Sequence, residues 1–254
     1  MSEQIEEVEM VDGLDQLVLI VGQSTGGKSA SLRNITNQER WVYFGTEAGK
    51  RLPFKNKFNR VNVTDPTEVL DLFQECIDNP DDVDGIIIDS LTFLMDMYES
   101  QYVLGSANTM KAWGDYNQYF KRILQELVPK FGKPVIIIAH AMETYDENSP
   151  TGAKSSVPIK GALKGQGVEA YFTTVVAAKR VPIKELEKYT NGMLEITEEE
   201  RELGFKYVFQ TKHTKATTGD RIRSPMGMFS REETYIDNDA AKLLQHLNSF
   251  YNED

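Results

Sequence analysis

The chain has 254 residues, 40% hydrophobic and 26% charged, an ordinary globular composition with length enough for a real core. A formal net charge of −11 argues against a surface that coats nucleic acid unselectively, while leaving room for local basic patches. One cysteine, Cys76, excludes an internal disulfide and any all-cysteine metal site.

In chain order, residues 1–13 read as an acidic arm without the basic and apolar regions of a signal peptide. No apolar run is long enough to span a membrane, so no membrane partner and a cytoplasmic location are expected. Gln16 to Val21 reads as a buried strand, followed by a glycine-rich loop and a helix over Lys28 to Asn34. Trp41 to Phe44 is a second strand, Val61 to Val63 a short third, and Pro66 to Ile77 a helix capped by Asp65. Gly85 to Asp89 is another buried strand. Lys111 to Phe131 has helical periodicity, with Trp113, Tyr116, Phe120, Ile123, Leu124 and Leu127 on one face. Pro134 to Ala139 is again strand.

The later part changes character. Ser149 to Gly167 is rich in Gly, Ser and Lys and reads as a long mobile loop. Tyr171 to Ala178 reads as strand, residues 182–204 as a charged surface insertion, and Lys206 to Gln210 as strand. Thr211 to Arg223 is basic and turn-rich, and Asp237 to Asn248 a C-terminal helix. Alternating strands and helices imply an α/β fold: a mostly parallel sheet with helices on both faces and a C-terminal β-hairpin region. With no internal repeat or linker, residues 1–254 are expected to form one domain.

The chemistry begins at Gly22-Gln23-Ser24-Thr25-Gly26-Gly27-Lys28-Ser29, a full match to G-x-x-x-x-G-K-[ST] between a strand and a helix. Glycines let successive N–H groups face inward as an anion nest, to which the helix N-terminus adds its dipole. Lys28 is expected at the β- and γ-phosphates of a nucleoside triphosphate, Ser29 at Mg²⁺, and Ala30 closes the nucleotide-binding run. Asp89 ends the Ile86-Ile-Ile strand, where a carboxylate can reach the metal shell, usually through water. Glu47 follows the Trp41 to Phe44 strand. If that strand neighbours the phosphate-loop strand, its carboxylate can orient and deprotonate the attacking water. The other reading is a solvated acid beside Lys50 and Arg51. His140 is either a γ-phosphate sensor or a strand-end histidine satisfied by its neighbours.

This order of motifs resembles a RecA-type ATPase core: phosphate loop, Glu47, Asp89-Ser90, a polar sensor at His140, then a mobile loop. Gly45-Thr-Glu-Ala-Gly-Lys-Arg-Leu-Pro-Phe54 resembles phage-encoded RecA-like NTP-binding proteins, including a group described as single-strand annealing proteins. The resemblance covers most of residues 14–230. It implies a RecA-like P-loop NTPase core that hydrolyses ATP with Mg²⁺, in host cytoplasm if phage-encoded. It implies single-stranded DNA as partner and assembly into a homo-oligomeric ring or filament, and it allows a single-stranded DNA-binding protein as a further partner. Two segments would face DNA, Tyr98 to Lys111 and Glu143 to Gln166, the second carrying Lys154, Lys160 and Lys164. An ordinary loop is the alternative for the second. Lys212, Lys215, Arg221 and Arg223 match the region that reaches a neighbour's γ-phosphate, with a basic surface hairpin as the alternative. RecA has glutamine where His140 stands, and its polymerisation helix has no counterpart in the acidic arm. A ring-shaped DNA translocase and an ATP-dependent assembly switch are the competing functions.

Overall fold

The computed structural model describes residues 16–147, 152–161 and 167–252. The acidic arm 1–13 and Lys164 lie outside the described residues.

An eight-stranded sheet organises the chain. β1 (Leu17–Gly22), β2 (Trp41–Gly45), β3 (Asn59–Asn62), β4 (Gly85–Asp89) and β5 (Val135–His140) are joined by crossovers. β8 (Thr174–Pro182), β9 (Phe205–Gln210) and β10 (Tyr235–Asp237) extend it, in the order β10-β9-β8-β1-β5-β4-β2-β3. The six strands from β8 to β3 pair in parallel; β9 and β10 add antiparallel pairs at one edge. The expected α/β fold is therefore present. β1 and β4 are buried along their whole length because both sheet faces are covered, which is why they read as unbroken apolar runs.

One face carries α1 (Glu68–Asp78), α2 (Leu91–Tyr98), α3 (Thr109–Arg122) and α4 (Val128–Phe131), packed on Leu19, Phe44, Ile88 and Ile137. The other carries α7 (Ala240–Asn252) and the turn after the phosphate loop, packed on Ile20, Ile87 and Ile138. Alternate residues of each strand thus serve opposite cores. Residues 182–204 hold α5 (Ile183–Leu186) and α6 (Glu198–Leu203), the latter started by a capping box between Thr197 and Glu200. Ile183 and Leu186 pack with Val208 and Tyr235 in a satellite cluster on the antiparallel edge.

Several boundaries differ from the sequence expectations. The segment behind the phosphate loop is a six-residue 3₁₀ helix, Ser29–Asn34. Ser31 Oγ bonds the backbone locally, donating to the Lys28 carbonyl at 2.6 Å, which weakens the case for an α-helix. Lys111 to Phe131 is no continuous α-helix: Ile123–Leu127 is a π-helical turn. Pro129 follows it, and a proline cannot donate the next helical hydrogen bond. The expected loop 149–167 contains β7 (Ala153–Ser156), paired antiparallel with β6 (Met142–Tyr145). Both strands are short and polar, so their pattern carried no apolar signal. The Asp65 carboxylate accepts from the Thr67 N–H at 2.8 Å, while α1 itself begins at Glu68.

Candidate active site

The parallel register brings four strand ends to one edge. Gly22 pairs with His140 across β1 and β5, and Gly45 pairs with Asp89 across β2 and β4. β5 and β4 separate β1 from β2, so the condition set for Glu47, that its strand neighbour the phosphate-loop strand, is not met. Glu47 reaches the site because Thr46 ties the end of β2 to the end of β4. Thr46 Oγ1 donates to the Ser90 carbonyl and accepts from the Ser90 N–H, each at 2.8 Å.

The phosphate loop wraps over this edge. Gly22 and Ala178 lie so close that a Cβ on Gly22 would stand 2.4 Å from the Ala178 carbonyl oxygen. A six-residue 3₁₀ helix has little macrodipole, so anion binding rests mainly on the loop's own N–H groups. A cavity of about 630 Å³ opens above the loop, within the usual range for small-molecule sites. Ser24 to Ala30, Glu47, Asp89 and His140 all line it; Gly22 and Gln23 border a smaller hollow on the loop's other side.

Lys28 is 6% exposed, and its ammonium donates to the Gln23 carbonyl at 2.8 Å. Burial lowers its pKa to about 8, against the raising influence of Asp89 and Glu47. Such a cation is under-solvated and available to a polyphosphate. Ser29 Oγ and the Tyr43 hydroxyl both donate to Asp89 Oδ2, at 2.7 and 2.8 Å. Asp89 Oδ1 is buried without a partner among the described residues. Burial pushes the Asp89 carboxyl up, while the two hydroxyl donors pull against it. The set fits Mg²⁺: a hard cation takes oxygen ligands, and the Asp89 carboxylate and Ser29 Oγ meet at the edge of the cavity. Among the described residues no group of three or more His, Cys, Asp or Glu could hold a metal, so phosphate and water oxygens would complete the shell.

Glu47 accepts from Lys50 Nζ at 2.6 Å and lies 3.2 Å from His140 Nε2. Burial alone would raise its pKa, but the Lys50 and His140 hydrogen bonds outweigh that and hold it below the usual carboxylate value. It is ionised at neutral pH. The His140 backbone N–H donates to Thr92 Oγ1 at 2.9 Å, and Phe93 packs edge-on against the imidazole ring. His140 is thus a partner of Glu47, a contact the sequence did not indicate.

The other candidates stand elsewhere. None of Lys212, Lys215, Arg221 and Arg223 lines the cavity of its own chain. Lys212 Nζ donates to the Phe229 carbonyl at 2.5 Å, and Arg223 to the Ala170 carbonyl at 3.4 Å. Arg221 borders the smaller hollow, and Lys215 is exposed. Lys154 lies on β7, and Lys160 is ion-paired with Glu99 and Asp96. Sequence reading missed Tyr43, Thr46, Arg60, Tyr207 and Asn238 at the site. Only Thr46 carried a signal, a hydroxyl beside a strand-end acid.

A triphosphate loop on a parallel sheet, with an acidic strand end against its serine, defines a P-loop nucleotide-binding protein. The AAA domain family model matches residues 15–221, and the chain belongs to that family. It is therefore a P-loop ATPase domain of AAA type. No curated protein matches the chain.

Proposed function

We propose that the chain is an Mg²⁺-dependent ATPase of RecA-like type that acts on single-stranded DNA in recombination or annealing, as a homo-oligomer. Lys28 holds the β- and γ-phosphates, Ser29 and Asp89 the metal, and Glu47 activates water, with His140 as its partner. One observation carries the link from nucleotide to DNA. Gln23, in the phosphate loop, donates through Nε2 to Glu143 Oε1 at 2.7 Å, and Glu143 lies on β6. The β6–β7 hairpin, which carries Lys154, follows His140 after one residue. A change at the phosphates therefore has two short routes to the segment that the resemblance assigns to DNA.

Assembly rests on the resemblance, which assigns four basic residues to a neighbour's γ-phosphate. These four, Lys212, Lys215, Arg221 and Arg223, do not line the cavity of their own chain. Lys160 supports DNA contact least, because two carboxylates already neutralise it.

The test is the steady-state ATPase rate with and without single-stranded DNA, with particle mass in both nucleotide states. Stimulation by DNA together with larger particles in ATP is expected. Turnover that ignores DNA, with no DNA binding, refutes the DNA role. Nucleotide-dependent assembly with negligible turnover would replace it with the switch, and directional strand displacement with the motor.

A further inference from the structure

Asp89 is held asymmetrically. Oδ2 has two donors, Ser29 Oγ and the Tyr43 hydroxyl, whereas Oδ1 is buried with none among the described residues. Tyr43 lies in β2, two residues before Gly45, the register partner of Asp89. From there it reaches diagonally across the sheet. Its ring is held in turn: Phe58 stacks on it at 6.0 Å between centroids, and the Arg60 guanidinium lies 5.4 Å from the ring centroid. Arg60 also donates to the Lys50 carbonyl at 2.5 Å, which ties the ring to the loop that follows Glu47. Gly45 leaves the room for this arrangement, since a Cβ there would stand 3.2 Å from both Tyr43 Cε1 and an Arg60 nitrogen.

Phenylalanine would fill the same core volume, and a buried hydroxyl is costly unless it is paired. The structure pairs it with Asp89, the carboxylate that accepts from Ser29 Oγ. Partners behind a metal's ligands orient those ligands and tune metal affinity. We propose that Tyr43 is a positioning residue for the metal site, fixing through Oδ2 the carboxylate that meets Ser29 Oγ. This rests on the metal–nucleotide reading given above. The competing role is purely structural, a bond that fastens β2 to β4.

The two roles separate in metal affinity. Mn²⁺ binding to the full chain is measured by electron paramagnetic resonance in a non-hydrolysable ATP analogue, for wild type and Tyr43→Phe. Thermal melting and metal-free binding of the analogue are measured alongside. Tyr43→Phe is expected to weaken Mn²⁺ roughly tenfold or more, with metal-free analogue binding within about twofold of wild type. Mn²⁺ affinity within about twofold of wild type overturns the proposal, even if the melting temperature falls. Should Tyr43→Phe not fold, 3-fluorotyrosine at position 43 keeps the hydroxyl and alters its donor strength. An Mn²⁺ affinity that this change also leaves unmoved overturns the proposal. If wild type binds neither analogue nor Mn²⁺, the nucleotide reading falls, and this inference with it. If wild type binds both and the variants match it, only the role of Tyr43 falls.

Discussion

Lys28→Met is expected to stabilise the nucleotide-free protein while abolishing triphosphate binding. The folded chain holds Lys28 with a pKa near 8, against 10.5 for the free side chain. The unfolded chain therefore binds more protons between those values, and stability rises with pH through that window. A tenfold change in proton affinity is worth about 1.36 kcal/mol, so the charged lysine costs about 3 kcal/mol at pH 7 and about 1.4 at pH 9.5. Screening by solvent in the open cavity reduces the difference between those two pH values to about 1–2 kcal/mol. Methionine removes this cost and loses the hydrogen bond to the Gln23 carbonyl, about 1 kcal/mol at any pH. Urea unfolding at pH 7.0 and 9.5 should show the variant about 1–2 kcal/mol more stable at pH 7, with the gain shrinking or vanishing at 9.5. Adding Mg·ATP at about a hundred times its Kd should reverse the order, since only the wild type gains about 2.7 kcal/mol from binding. A stability difference that is the same at both pH values, or a variant less stable at pH 7, refutes the assigned burial cost.

Glu47→Gln should keep ATP affinity within a few-fold while turnover falls roughly 10²–10⁴-fold, measured by equilibrium binding and phosphate release. Equal loss of both would mean that Glu47 shapes the site rather than activating water. Lys50→Met removes a donor that holds the Glu47 carboxyl down, so the acid limb of the ATPase pH profile should move upward. The sign follows because a depressed carboxylate pKa favours the ionised base, an advantage lost as pH falls through that pKa. A downward move would contradict the pairing. Gly22→Ala forces a Cβ against the Ala178 carbonyl and should cost about 2 kcal/mol or more, roughly 5 °C in Tm, by calorimetry.

The phosphate loop was legible because its chemistry is local: glycine, lysine and serine at fixed spacing between a strand and a turn. The buried strands were legible because a doubly covered parallel sheet turns them into continuous apolar runs. Asp89 and Glu47 could be named because each closes or follows such a run. Their partners could not. Tyr43 reads as a core aromatic, and only the pairing of β2 with β4 sets its hydroxyl 2.8 Å from Asp89. The contact of His140 with Glu47 joins residues 93 apart in the chain and depends on the strand order, which periodicity does not encode. The sequence by itself determined the phosphate-loop motif and the layered α/β class, since both follow from short-range patterns. Tertiary structure alone decided that β5 and β4 separate the loop strand from the Glu47 strand, and that Thr46 still carries Glu47 to the cavity. Strand order and side-chain convergence come from long-range pairing and packing, which spacing along the chain leaves open.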